Sequence, residues 1–322
     1  MSLIVTLTGS YPPHPDIDPP RSLTIEEAEP SIRFAVEQQQ QAVSGRPVNW
    51  LYVSGQPQDD IVSIYAKGLD GLKGEHLPFK VVSEIKHTTP IALRELEIAH
   101  QAIDGKPLKA HITGAMLMAE HNSIELTENS PVLYRNDDPD LRRHLIIDIA
   151  NALAEETRLL TNNSSLNIQY VQIDEPPLTA GADSTLAKEA IEIIAKASKV
   201  PVILHVCGDI SPIMNQLLDI QVDILNVEGQ HLTRVRDLTP QLLRDHGKKL
   251  AIGCLPVNAN EIPTERQLER DLLRMADRYG AENIWGITPN CGMRWSDRDV
   301  ARLRLDRLAN VALKVASRFE QA

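Results

Sequence analysis

What constrains this chain most is a rhythm: short apolar runs, each ended by Gly, Pro, Asp or Asn, recur along its length with amphipathic stretches between them. Such runs lie at Leu3–Thr8, Val48–Val53, Leu108–Thr113 and Ile168–Ile173, and again at Val202–Val206, Val222–Val227, Leu250–Cys254 and Ile284–Thr288. Apolar residues at helical spacing fill Asp140–Leu160, Thr185–Ala197, Thr264–Tyr279 and Asp297–Phe319, and Pro139-Asp140 and Ser296-Asp297 read as helix starts. Strand and helix alternating eight times over 322 residues predict an α/β fold, a (β/α)8 TIM barrel forming a single catalytic domain over residues 1–322. A ninth run, Lys80–Ile85, follows the Gly-rich stretch Gly68–Pro78, which offers no crossover helix, so it is expected outside the barrel. The polar connection Glu120–Asp138 after the third strand fits a flap closing over a barrel site and a tolerated surface insertion equally well.

Composition narrows the partners. Lys and Arg number 33 against 44 Asp and Glu, a formal charge of -11, with no basic run, so nucleic-acid binding is not expected. No apolar run approaches the roughly 20 residues that span a bilayer, and Met1–Ser10 reads as a strand and turn rather than a secretion signal. The expectation is a soluble, cytoplasmic protein without a membrane partner. Three cysteines cannot form a disulfide framework in a chain this long and suit a reducing compartment, where thiols act as ligands or nucleophiles.

A barrel of this kind carries its chemistry at the C-terminal ends of its strands. Unusual polar residues collect there: Gly9 and Ser10 after the first strand, Gly55 and Gln56 after the second, Asp174 and Glu175 at the fourth. His205 and Cys207 end the fifth, Glu228 ends the sixth and Cys291 follows the eighth. Two residues apart on an extended strand, His205 and Cys207 point the same way and can share one ion. With Cys291 and Glu228 they offer one nitrogen, two sulfurs and one carboxylate, a set that tetrahedral zinc accepts. Zinc deprotonates a bound thiol near neutral pH and leaves it nucleophilic. The pattern alone also admits a core histidine with inert buried cysteines. Cys254 reads as structural.

These residues carry a likeness to a known family. Leu7-Thr8-Gly9-Ser10-Tyr11-Pro12, the segment Gly55–Tyr65 with Asp59 and Asp60 ahead of Leu69-Asp70-Gly71, Ile112-Thr113-Gly114 and Ile173-Asp174-Glu175-Pro176 resemble, in order, four strand-end motifs. They are those of the catalytic C-terminal domain of cobalamin-independent methionine synthase, especially its short archaeal-type core forms, and the likeness spans nearly the whole chain. It implies a zinc-dependent methyltransferase that makes methionine from homocysteine, with His205, Cys207, Glu228 and Cys291 on the zinc-ligand positions. It also implies that the Gly9-Ser10 turn takes the homocysteine carboxylate and Asp174 its ammonium, with Gln56 and Thr113 among the substrate contacts. Such roles suit the residues: backbone N–H and a hydroxyl for an anion, a carboxylate for a cation.

Two departures bear, in turn, on homocysteine affinity and on the methyl donor. Gln56 stands where the long enzymes have a glutamate, and Asn258 stands where they have a histidine linked to protonating the folate leaving group. With Asn258 unable to deliver that proton, and with no counterpart of the long enzymes' N-terminal half, the expected donor is methylcobalamin or a protein-bound methylcorrinoid. A corrinoid protein would then dock over the rim, against Glu120–Asp138. Alternatives are a methylcorrinoid:coenzyme M-type thiol methyltransferase, a folate-dependent methionine synthase, a uroporphyrinogen-decarboxylase-like enzyme, or a non-catalytic corrinoid carrier. Arg294 and Trp295 fit either a donor contact or a cap on the last helix.

Overall fold

The computed structural model describes residues 3–17, 21–119, 124–128, 130–135, 137–258 and 262–320. Its strands are β1 (Ile4–Thr6), β2 (Asn49–Leu51), β3 (Asp70–Lys73), β4 (Phe79–Lys86), β5 (Leu108–Thr113), β6 (Ile124–Leu126), β7 (Ile168–Asp174), β8 (Val202–Val206), β9 (Ile224–Glu228), β10 (Lys249–Leu255) and β11 (Ile284–Pro289). Eight of them pair in parallel in the order β2-β1-β11-β10-β9-β8-β7-β5. The ring closes through a parallel bridge between Tyr52 and Leu108, where Lys109 N donates to Tyr52 O at 2.8 Å. The chain is a (β/α)8 barrel, as the alternation of apolar runs and helices predicts.

Helix ends follow the local chemistry. Asp138 accepts from the backbone N–H groups of Asp140 and Leu141 and starts helix Pro139–Asn162, with Pro139 in the first turn, where its missing N–H costs nothing. Thr264 and Gln267 form a reciprocal capping box at the start of helix Glu265–Tyr279. Asp297 likewise accepts from Asp299 N and Val300 N ahead of helix Arg298–Glu320.

The strand alternation sorts side chains into two environments. Outward residues such as Val171, Ile173, Leu204 and Val206 are fully buried beneath the helices. Inward residues fill the barrel in layers. Leu51, Ile203, Ile224, Ala251 and Trp285, with Ile4 and Tyr170 against them, form a separate apolar plug at the N-terminal end. Above it lies a polar layer that includes Lys109, His111, Gln172 and Asn226, all buried. Strand register then sets Thr113, Asp174, His205 and Asn226 side by side on four consecutive strands. The apolar floor excludes water, so everything above it must find hydrogen-bond partners within the protein.

The ninth apolar run lies outside this ring, as its Gly-rich approach predicts: β4 pairs with β3 antiparallel and with β6 in parallel. β6 comes from the connection Glu120–Asp138, of which residues 120–123, 129 and 136 lie outside the described residues. That connection is tied to the side sheet, with Ser130 Oγ donating to Val81 O at 2.8 Å and Tyr134 OH to Asp148 at 2.6 Å. Among the described residues no helix is long and apolar enough to cross a membrane.

Candidate active site

A cavity of about 260 Å³ opens at the C-terminal ends of the strands, with Gly9, Ser10, Gln56 and Asp174 on one side and His205, Cys207 and Cys291 on the other. Two larger depressions, of about 710 and 630 Å³, lie among the outer helices, and neither contains this cluster.

His205, Cys207 and Cys291 each aim one ligand-type atom at a common point, and these atoms lie within 4.8 Å of one another. His205 Nε2 is 2.8 Å from Cys207 Sγ, a hydrogen bond that a bound ion would replace, and the two sulfurs are 3.7 Å apart. Two thiolates at about 2.3 Å from a tetrahedral zinc stand roughly 3.8 Å apart, so the sulfur spacing fits that ion. The histidine is aimed from behind. Asn226 Nδ2 donates to Ala251 O at 3.0 Å and Thr288 Oγ1 at 2.9 Å, which turns Asn226 Oδ1 toward His205 Nδ1 at 2.7 Å. That oxygen accepts the Nδ1 proton, leaving the Nε2 lone pair for the cluster. The neighbouring Cys207 and His205 hold the Cys291 thiol well below its ordinary pKa, while the contact with Cys291 pushes Cys207 up. The pocket thus favours at least one thiolate.

Glu228 stays outside this group of three. Its Oε1 accepts from Gly208 N at 2.7 Å, and its Oε2 accepts from Asn290 Nδ2 at 2.8 Å and Gln230 Nε2 at 3.0 Å. Burial pushes its carboxyl up, but these three donors outweigh it and hold the pKa below the ordinary value. Gly208 follows Cys207 and Asn290 precedes Cys291, so the carboxylate braces both cysteine segments.

On the opposite wall, Asp174 Oδ1 accepts from Gln172 Nε2 at 2.6 Å. Burial raises the Asp174 carboxyl above its usual value, against the pull of His205, Gln172 and Lys109. Ser10 joins the first and last strands: its carbonyl accepts from Met293 N at 2.8 Å and its hydroxyl from Arg294 N at 3.2 Å. A Cβ on Gly292 would sit 2.4 Å from Ser10 Oγ, and one on Gly9 would sit 2.9 Å from Gln56 Oε1, so a side chain at either position would displace a group of the cavity wall. Gln56 itself is buried with φ of 46°, a conformation unusual for a side-chain-bearing residue.

Two other expected residues land elsewhere, whereas Arg294 and Trp295 line the cavity. Thr113 is fully buried, its hydroxyl without a hydrogen-bond partner among the described residues, and it does not line the cavity. Asn258 is exposed and also absent from the lining. Arg294 spends its guanidinium on the carbonyls of Gln56, Pro57 and Arg21, tying the loop after β2 to the last strand, whereas Trp295 stands 75% exposed on the rim. Cys254 lies apart from the cluster, its thiol pushed up to about 12 by burial. Glu175 accepts from Met116 N and Leu117 N, pinning the segment after β5. Sequence reasoning overlooked Lys109, Gln172 and Asn226; their signal was a polar residue on the inward face of an otherwise apolar strand.

Residues 74–314 match the family model described as the cobalamin-independent synthase catalytic domain. The methionine synthase of Methanothermobacter marburgensis is 30% identical, over 98% of this chain and 100% of that protein. A 5-methyltetrahydropteroyltriglutamate–homocysteine methyltransferase from Burkholderia mallei is 25% identical over 69% of this chain and 28% of its own length. A solved B12-independent methionine synthase from Shewanella sp. W3-18-1, in complex with selenomethionine, superposes with a TM-score of 0.80 at 17% identity, covering 100% of both chains. These findings overturn the expectation of a methylcobalamin or protein-bound methylcorrinoid donor, and with it the corrinoid partner docked on the rim. One of that expectation's two grounds was Asn258 standing at the reaction centre, and Asn258 is exposed outside the cavity. The coenzyme M-type and uroporphyrinogen-decarboxylase-like alternatives fall with the same match. The chain belongs to the cobalamin-independent methionine synthase family, and it is a methyltransferase.

Proposed function

We propose that this chain forms methionine by moving a methyl group from a 5-methyltetrahydropteroyl donor to the thiol of homocysteine, its 322 residues acting as one catalytic domain. The observation that carries this reading is the convergence of His205, Cys207 and Cys291 on the wall facing Asp174 and the Gly9-Ser10 turn. A soft nitrogen–sulfur cluster opposite a carboxylate and a hydroxyl matches a molecule with sulfur at one end and an amino acid at the other. The relative from Burkholderia mallei, named for both substrates, supports the choice of donor and acceptor.

The reaction forms an S–CH3 bond and breaks an N–CH3 bond, so the thiol gives up a proton and the leaving nitrogen gains one. In this reading His205, Cys207 and Cys291 hold zinc, with Glu228 bracing the two cysteine segments. Zinc bound there would lower the pKa of the substrate thiol and keep it anionic at neutral pH. Asn226 keeps the imidazole proton on Nδ1. Asp174 takes the substrate ammonium, Ser10 and the Gly9 backbone take the carboxylate, and Gln56 narrows the pocket beside them. Fixing both ends of the amino acid places its sulfur for in-line attack and lowers the entropic part of the barrier.

The test is a donor-by-acceptor assay on protein reconstituted with one equivalent of zinc. Methionine should appear from 5-methyltetrahydropteroyltriglutamate and homocysteine, and chelation should stop it. Absence of methionine from that pair in metal-replete protein would overturn the reading.

A further inference from the structure

Beneath the amino-acid wall lies a buried lysine that the reaction itself does not use, its pKa lowered to about 7 by burial against the pull of Asp174. Lys109 is 0% exposed, at an inward position of β5, and its ammonium reaches Gln172 Oε1 at 2.6 Å, Leu7 O at 2.5 Å and Thr8 O at 3.5 Å. All three are acceptors, and an ammonium can only donate. Gln172 has a carbonyl oxygen and an NH2 group, and only the oxygen can face Lys109. Its Nε2 is thereby directed at Asp174 Oδ1, 2.6 Å away, and at Thr8 O, 2.7 Å away. His111 Nε2 meets the same Thr8 carbonyl at 2.7 Å. Because a trans peptide is planar, a Thr8 carbonyl held toward the floor leaves the Gly9 N–H pointing away from it.

We propose that Lys109 is a positioning residue for amino-acid recognition: through Gln172 it fixes Asp174 as an acceptor with one oxygen committed below, and through Leu7 and Thr8 it fixes the Gly9-Ser10 turn. The proposal rests on the reading that this wall binds the α-amino acid end of the substrate. With Lys109 gone, the Gln172 amide is free to turn its oxygen toward Asp174, where two acceptors repel and the carboxylate shifts off its ligand.

The test compares equilibrium binding of methionine and of 4-(methylthio)butanoate, which lacks only the amino group, to zinc-loaded wild type, Lys109→Met and Gln172→Leu proteins. Wild type should favour methionine by roughly 10-fold or more, the worth of one charged hydrogen bond. Lys109→Met should lose most of that preference, whatever a loosened Gly9-Ser10 turn costs both carboxylates alike. Equal weakening of both ligands, or an undiminished preference, overturns the proposal, because a purely structural lysine would not single out the amino group. If Lys109→Met fails to fold, Gln172→Leu decides by the same ratio. A wild type with no preference for methionine would sink the underlying reading of the wall instead.

Discussion

After β8 and β11 the rim offers imidazole and sulfur, with the amide and carboxylate of β9 behind them, whereas on the side of β1 and β7 it offers hydroxyl and carboxylate above a buried amide and ammonium. Both halves depend on one buried amide whose orientation is dictated by a neighbour with no choice of role. Asn226 turns its nitrogen to Ala251 O, which can only accept, and so offers oxygen to His205. Gln172 turns its oxygen to Lys109, which can only donate, and so offers nitrogen to Asp174. Under the proposed function, the difference lies in what each half recognises. The first presents soft donors to an ion or a sulfur, and the second presents a charge pattern to a zwitterion. Chemistry and substrate selection are therefore separable by mutation, although the two walls share one cavity.

The largest test removes a ligand. Cys207→Ser should lower turnover at least about 100-fold, since even losing a group behind a metal ligand costs 10–100-fold. Zinc content by metal analysis should fall with it. Next, Asn226→Leu leaves His205 without its Nδ1 acceptor and should weaken zinc about 10–100-fold in a competition titration against a chromophoric chelator. The methionine preference over its des-amino analogue should survive in zinc-saturated Asn226→Leu protein. If Asn226→Leu abolished that preference, or Lys109→Met lowered zinc affinity as much as Asn226→Leu does, the two halves would be one network.

The same contrast explains what could be read from the residues. Eight apolar runs alternating with helical stretches point to parallel strands buried on both faces, and eight such units over 322 residues match the size of a closed barrel. His205, Cys207 and Cys291 stand out because three soft donors at strand ends of one rim can share an ion, which the His205–Cys207 spacing alone would not establish. Lys109 and Gln172 are common residues, and their meaning depends on facing each other on the paired strands β5 and β7, 63 residues apart in sequence. Glu228 shows a different limit: its place at a strand end is legible, but which way its carboxylate turns is settled by Gly208 N and the amide of Asn290. The three-residue strand β6 is too short to leave a period in the sequence, so its pairing with β4 was hidden within a polar connection.

Within the zwitterion half, Ser10→Ala removes one hydroxyl that already accepts from Arg294 N. Loss of one neutral hydrogen bond of about 1 kcal/mol should raise the homocysteine KM roughly fivefold and leave kcat within about twofold. A fall in kcat with no change in KM would mean that Ser10 acts in the transition state rather than in holding the carboxylate.

The smallest effect sharpens the comparison by marking where the rim ends. Asn258 follows β10, yet it is exposed and contributes nothing to the cavity wall. Its side chain belongs to neither half, so Asn258→Ala should change kcat/KM by no more than about twofold, the scale of an ordinary surface substitution. Asn258→His, which adds a titratable group, should leave the pH profile of turnover unchanged for the same geometric reason. A tenfold change in either variant would require the segment after β10 to fold over the cavity during turnover, and would place a third functional region beside the two described.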